Sequence, residues 1–276
     1  MREYLRTIYT KFFKALTFYE QSSRHAQLSK PPGQIDWRVV TVFVLACVIL
    51  SLLNYYGGSG DWQEIQLFLH PFVDDPEETL RGWFLNHDYA RLTRLAYWSG
   101  TTVIGYFLVP ALLIRLIWKE HLSDYGLPSP GKSPGYLFFL ILFFIMFPVV
   151  LIASLTEEFQ SSYPFYQFAD RSAFDFLAWQ LVYAAQFFAL EFFYRGFLIH
   201  GLKHRFGVYS IFVSTIPYVM IHFGKPLPET LGSIIAGIVL GAMSYHYRSI
   251  WPGVLLHIAI ALSMDTFSLA AQSRLF

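Results

Sequence analysis

Three runs of this sequence carry no Asp, Glu, Lys or Arg: Val39 to Gly60, Leu95 to Ile114 and Ser133 to Thr156. An apolar helix of about 20 residues is long enough to cross the roughly 30 Å hydrocarbon core of a bilayer. A chain with three such runs is expected to use the membrane as its solvent. The rest of the composition agrees, with 55% hydrophobic residues and 14% charged, where soluble domains average about 25% charged. A water-soluble enzyme, a secreted disulfide scaffold and a nucleic-acid reader are excluded, and a net charge of +1 offers no footprint for a polyanion. The single cysteine, Cys47, lies in the first run. It cannot form an internal disulfide or a thiolate cluster, and reads as a small buried hydrophobe.

The expected fold class is all-α: a polytopic transmembrane helical bundle of about seven spans, preceded by an N-terminal amphipathic helix. Residues 1–38 form the lead, with seven Lys or Arg against three acids and apolar Leu5, Ile8, Phe12, Phe13 and Leu16 set among the basic residues. The first apolar run starts behind this polar lead, so no cleavable signal peptide is expected. The transmembrane domain is 39–276, with spans expected near 39–56, 95–116, 135–155, 173–199, 209–223, 230–246 and 251–270. The loop after the first span is acidic, and Lys203 and Arg205 follow the fourth. Lys and Arg on the inner side put the amino terminus in the cytoplasm and the carboxyl terminus outside. The expected location is a plasma membrane of the bacterial inner-membrane type. Pro217 and Pro252 in the last, short spans suggest tilt or a partly re-entrant path.

Ionisable residues inside hydrocarbon are costly unless paired or watered, and so mark function. The middles of the first three spans have none. Span four contains Glu191 and Arg195, four residues apart on one helical face, with Gln186 earlier on the helix. Span five ends with Tyr218 and His222, again four apart, and Lys225 and Glu229 form a polar turn beyond it. Gly237 and Gly241 in span six make a face that admits a close neighbour helix. Span seven holds His257 and Asp265, eight residues or about 12 Å apart along the axis. Asp265 reads equally as a chamber residue or as an end cap. Two His and one Glu are zinc-capable donors, but no HExxH or other metal-specifying spacing is present, so no cofactor is expected and zinc is only an alternative. From residues alone, an intramembrane hydrolase and a proton-coupled transporter both remain open.

The segments EFFYRGFL at Glu191–Leu198, YVMIH at Tyr218–His222 and SIWPGVLLH at Ser249–His257 carry a resemblance. In order and spacing the region from about 170 to 270 resembles the CAAX-protease and bacteriocin-processing (Abi) family of intramembrane endopeptidases. That resemblance implies a peptidase acting on a membrane-anchored peptide or protein tail among membrane lipids, with no nucleic-acid partner. It also implies that a glutamate and the second-motif histidine activate water, while the third-motif histidine and an asparagine polarise the scissile carbonyl. Glu191 and Arg195 match the family's second glutamate and its arginine; His222 and His257 match the two histidines. The first glutamate's place is Leu190 and the asparagine's is Ala261. Neither can transfer a proton or stabilise an oxyanion. The expected catalytic set is therefore Glu191 with His222, held by Arg195 and assisted by His257 and Asp265. The alternative is a non-catalytic relative that binds or escorts membrane peptides.

Overall fold

A computed structural model describes residues 33–127 and 136–274, together with Thr10, Lys14, Gln21 and Arg24. The expected amphipathic lead over residues 1–38 falls largely outside the described residues. Those that are described contain helices and no strand. The long elements are α1 (Trp37–Tyr56), α2 (Ala90–Ile117), α3 (Tyr136–Ala153), α4 (Ala173–Phe206), α5 (Tyr209–Met220), α6 (Leu227–Tyr247) and α7 (Trp251–Ala271).

Six of these, all but α5, are long and apolar enough to cross a membrane. This is an integral membrane protein with multiple spanning helices. The fifth expected span, 209–223, is instead the 12-residue α5, about 18 Å long at 1.5 Å per residue and well short of a bilayer core. Beyond Met220 the chain turns, with Gly224 in the left-handed region at φ +90°. Cys47 also differs from expectation: it is exposed on α1 rather than buried. The hydrocarbon outside a spanning helix is as apolar as a protein core, so composition does not separate the two faces.

Local chemistry explains the helix ends. Ser172 accepts the amide of Asp175 at 3.1 Å and so caps the start of α4. Gly207, at φ +55°, ends the same helix. Pro228 stands in the first turn of α6 and Pro252 in that of α7, where a missing amide hydrogen costs nothing.

The chain divides into two compact units. The first takes the described residues up to Ala46, those from Ala111 to Leu137, and Glu191 to Gly253. Within it α5 lies close against α6. A methyl added to Gly237 would sit 2.8 Å from Thr215 Cγ2, and one added to Gly241 would sit 2.8 Å from Ile211 Cγ2. The pair of glycines thus does the packing its spacing implied. Elsewhere in this unit Arg38 forks onto Glu120 at 2.7 and 2.6 Å, and its guanidinium stacks 4.6 Å over Trp118. The Arg38 hydrogen bonds hold the Glu120 carboxyl below its usual range.

The second unit takes Cys47 to Pro110, Phe138 to Leu190 and Val254 to Phe276. Its core gathers Leu92, Leu95, Tyr166, Ala169, Trp179, Tyr183, Phe187, Ala261 and Leu269. Trp179, Tyr183 and Phe187 recur every four residues on α4, with successive ring centroids 4.6 Å apart. A smaller cluster of Trp62, Leu80 and Phe84 forms within the acidic loop itself.

Candidate functional site in the first unit

Glu191 and Arg195 are 0% and 2% exposed, and Arg195 Nη1 lies 3.2 Å from Glu191 Oε1. The expected ion pair is therefore made, and it is buried. Such a pair needs every favourable contact it can get, because both ions leave water to form it. Arg195 gains one from Tyr218, whose ring lies 3.9 Å from the guanidinium carbon, a cation–π geometry. Gly253 presses against the other partner: a methyl there would stand 2.6 Å from Glu191 Oε2. The carboxylate is thus confined between a guanidinium and a glycine backbone.

The backbone that carries Arg195 is unusual. From Phe192 to Leu198 the helix is π-wound, with all seven residues buried. Widened turns of this kind occur often at functional sites. Gly196, within the segment, admits the carbonyl oxygen of Tyr125, which would lie 2.8 Å from an added methyl. Ser214 Oγ donates to the Tyr194 carbonyl at 2.7 Å and Ser244 Oγ to the Arg195 carbonyl at 3.0 Å.

His222 continues the same cluster. Its ring meets that of Tyr218 edge-on at 4.8 Å. Nδ1 lies 2.8 Å from the Tyr218 carbonyl oxygen. A carbonyl only accepts, so Nδ1 carries the hydrogen, and Nε2 is the basic nitrogen of the neutral ring. Thr230 Oγ1 donates to the His222 carbonyl at 2.9 Å and fixes the turn from the start of α6. Glu191, Arg195, Tyr218 and His222 therefore form one continuous chain of contacts. Lys225 and Glu229, in the polar turn beyond, pair with each other at 2.5 Å.

The remaining expected residues lie in the second unit. The His257 ring packs 4.3 Å from that of Phe187. Ala261 is part of the aromatic core and Leu190 is buried. Asp265 is 0% exposed. Its Oδ1 accepts the Phe165 amide at 3.0 Å and its Oδ2 the Trp179 indole at 2.6 Å. Both oxygens thus tie helices and a loop together. These contacts make Asp265 an anchor between α7, α4 and the backbone at Phe165. Among the described residues no group of three or more His, Cys, Asp or Glu is placed to hold a metal ion.

Residues 172–263, one third of the chain, match the family model described as type II CAAX prenyl endopeptidase Rce1-like. Over that segment the chain is similar to this family. The matched part takes in Leu190, Glu191, Arg195, Tyr218, His222, His257 and Ala261, and it stops short of Asp265. No curated protein and no solved structure matches the chain. Three contributors to the cluster were not singled out by their spacing. Gly253 stands inside the third motif and so left a signal. Ser214 and Ser244 left none, since serine is common in spanning helices.

Proposed function

We propose that this protein is an intramembrane peptidase that hydrolyses a peptide bond in a membrane-associated peptide or protein tail. The observation that carries the reading is the buried Glu191–Arg195 pair, joined through Tyr218 to a histidine whose Nε2 is the basic nitrogen. In the proposed reaction Glu191 and His222 take the proton of a water molecule as its oxygen attacks the scissile carbonyl. The carbon–nitrogen bond then breaks, and the proton passes to the leaving amine. Arg195 holds the carboxylate in place. His257 is assigned the carbonyl-polarising role by its position in the third motif. The proposed reaction uses no metal. The amino-terminal side of the first span is proposed to face the cytoplasm of a bacterial-type plasma membrane, on the distribution of Lys and Arg.

A second reading is a non-catalytic relative that binds membrane peptides. It is favoured by Leu190 and Ala261, both buried and apolar where the family pattern places a base and an amide. One experiment separates the two. Purified protein in liposomes is incubated with membrane-anchored reporter peptides, and products are read by mass spectrometry. The peptidase reading expects cleavage by the wild type that Glu191→Ala and His222→Ala each reduce at least about a hundredfold. Retained peptide binding with no cleavage supports the second reading.

A further inference from the structure

Hydroxyl groups in spanning helices usually bond back to a carbonyl of their own helix. Thr215, Ser263 and Thr266 do so, donating to Ile211, Ala259 and Leu262 at 2.8, 2.7 and 2.7 Å. Ser214 and Ser244 do not. They reach from α5 and α6 to two consecutive carbonyls, those of Tyr194 and Arg195, in the middle of the π-wound segment. Both serines are buried.

Ser244 is itself oriented. His200 Nε2 lies 3.1 Å from Ser244 Oγ, and His200 Nδ1 lies 3.0 Å from Lys203 Nζ. The direction of the chain follows from chemistry. The Arg195 carbonyl only accepts, so Ser244 gives its hydrogen there and must receive one from His200. Nε2 therefore carries the hydrogen, Nδ1 carries the lone pair, and the Lys203 amine donates to it. The series Lys203, His200, Ser244, Arg195 carbonyl runs in one direction and ends on backbone, so it cannot deliver a proton onward. What it does is fix a carbonyl.

We infer that Ser214 and Ser244, the latter aimed by His200, form a clasp that keeps residues 192–198 π-wound and so positions the Arg195 side chain against the ring of Tyr218. All three are positioning residues. A π-wound turn holds about one residue more than an α-turn, and adjacent α-helical residues point about 100° apart. Reversion of the segment to α-winding would keep Arg195 one turn from Glu191 but would rotate it relative to α5, and so withdraw the guanidinium from the face of Tyr218. The role in catalysis rests on the peptidase reading; the role in winding does not.

The test uses the full chain in liposomes, with Ser214→Ala, Ser244→Ala, the double variant, Ser244→Thr, His200→Leu and His200→Gln. Thr keeps the hydroxyl, and Gln places an amide N–H near the position of Nε2. Two readouts are taken: amide hydrogen exchange of peptides spanning 192–198, and cleavage of the reporter peptides. The clasp predicts exchange at 192–198 faster by about tenfold in Ser244→Ala and His200→Leu, more in the double variant, and unchanged elsewhere in the chain. It predicts kcat lower by about ten- to a hundredfold with KM within about twofold, and recovery of both readouts in Ser244→Thr and His200→Gln. Unchanged exchange at 192–198 in the double variant overturns the clasp. So does exchange that quickens equally in every helix, which marks general destabilisation. If the wild type cleaves nothing, the peptidase reading fails, and the exchange readout still decides the clasp.

Discussion

Removing one member of the Glu191–Arg195 pair leaves the other charge buried in a spanning helix. At 3.2 Å, and with an effective dielectric constant of about 20, the attraction between the two charges is about 5 kcal/mol. Much of that offsets the desolvation of two side chains that are almost wholly buried. The single variants Arg195→Met and Glu191→Leu are therefore expected to lose about 3 kcal/mol each. That figure agrees both with the cost of breaking a buried pair, about 3–5 kcal/mol, and with that of an uncompensated charge at a helix centre, about 2.5–3.5 kcal/mol. The double variant leaves no orphan charge, so it is expected to be more stable than either single variant by at least about 2 kcal/mol. Equilibrium unfolding in mixed detergent micelles, run as a double-mutant cycle, measures this directly. Costs that add within about 0.5 kcal/mol would mean that the two side chains do not depend on each other, and would refute the reasoning.

Other perturbations test neighbouring parts of the account. Gly253→Ala places a methyl 2.6 Å from Glu191 Oε2, where ordinary contact starts at 3.4 Å; the carboxylate must move by roughly 0.8 Å, and cleavage is expected to fall about tenfold or more. Unaltered cleavage would show that the carboxylate's position is not critical. Asp265→Asn replaces one of two acceptors with a donor facing the Phe165 amide or the Trp179 indole. It is expected to cost about 1–3 kcal/mol in the same unfolding assay. The fourth expectation concerns pH. Arg274 donates to both oxygens of Asp170 at 2.9 Å, and these bonds lower the Asp170 pKa from 3.8. Because the folded value is the lower one, the stabilisation is fully present above the unfolded pKa and is lost as pH falls through the folded pKa. The stability difference between wild type and Asp170→Asn should thus be flat from about pH 5 to 8 and shrink below about pH 4. A difference that grows on acidification would contradict the assignment.

The sequence made the spanning helices legible because absence of charge over some 20 residues is a strong, one-dimensional signal. Span four, expected at 173–199, runs on to Phe206, since Lys203 and Arg205 can follow a helix out of the hydrocarbon. The helix of the expected fifth span ends early for a local reason. Its apolar run includes His222, but the helix stops at Met220 and turns through Gly224. The ion pair, the Tyr218–His222 contact and the glycine face of α6 were readable because each depends on four-residue spacing within one helix. The anchoring of Asp265 was not, because its indole partner is 86 residues away in the chain. Nor was the π-winding, which rests on serines contributed by two other helices. The orientation of α1 was hidden for yet another reason: lipid and protein core select the same side chains, so nothing marks Cys47 as exposed.

The central claim is that Glu191 and His222 together activate water for peptide hydrolysis. The most direct measurement is cleavage of membrane-anchored reporter peptides by purified protein in liposomes, with incorporation of oxygen-18 from labelled water into the new carboxylate. The account predicts one labelled oxygen per cleavage in the wild type. It predicts loss of at least about a hundredfold in rate for Glu191→Ala and for His222→Ala, each still folded. Cleavage at wild-type rate in both variants, or the absence of any cleavage by the wild type, would contradict it.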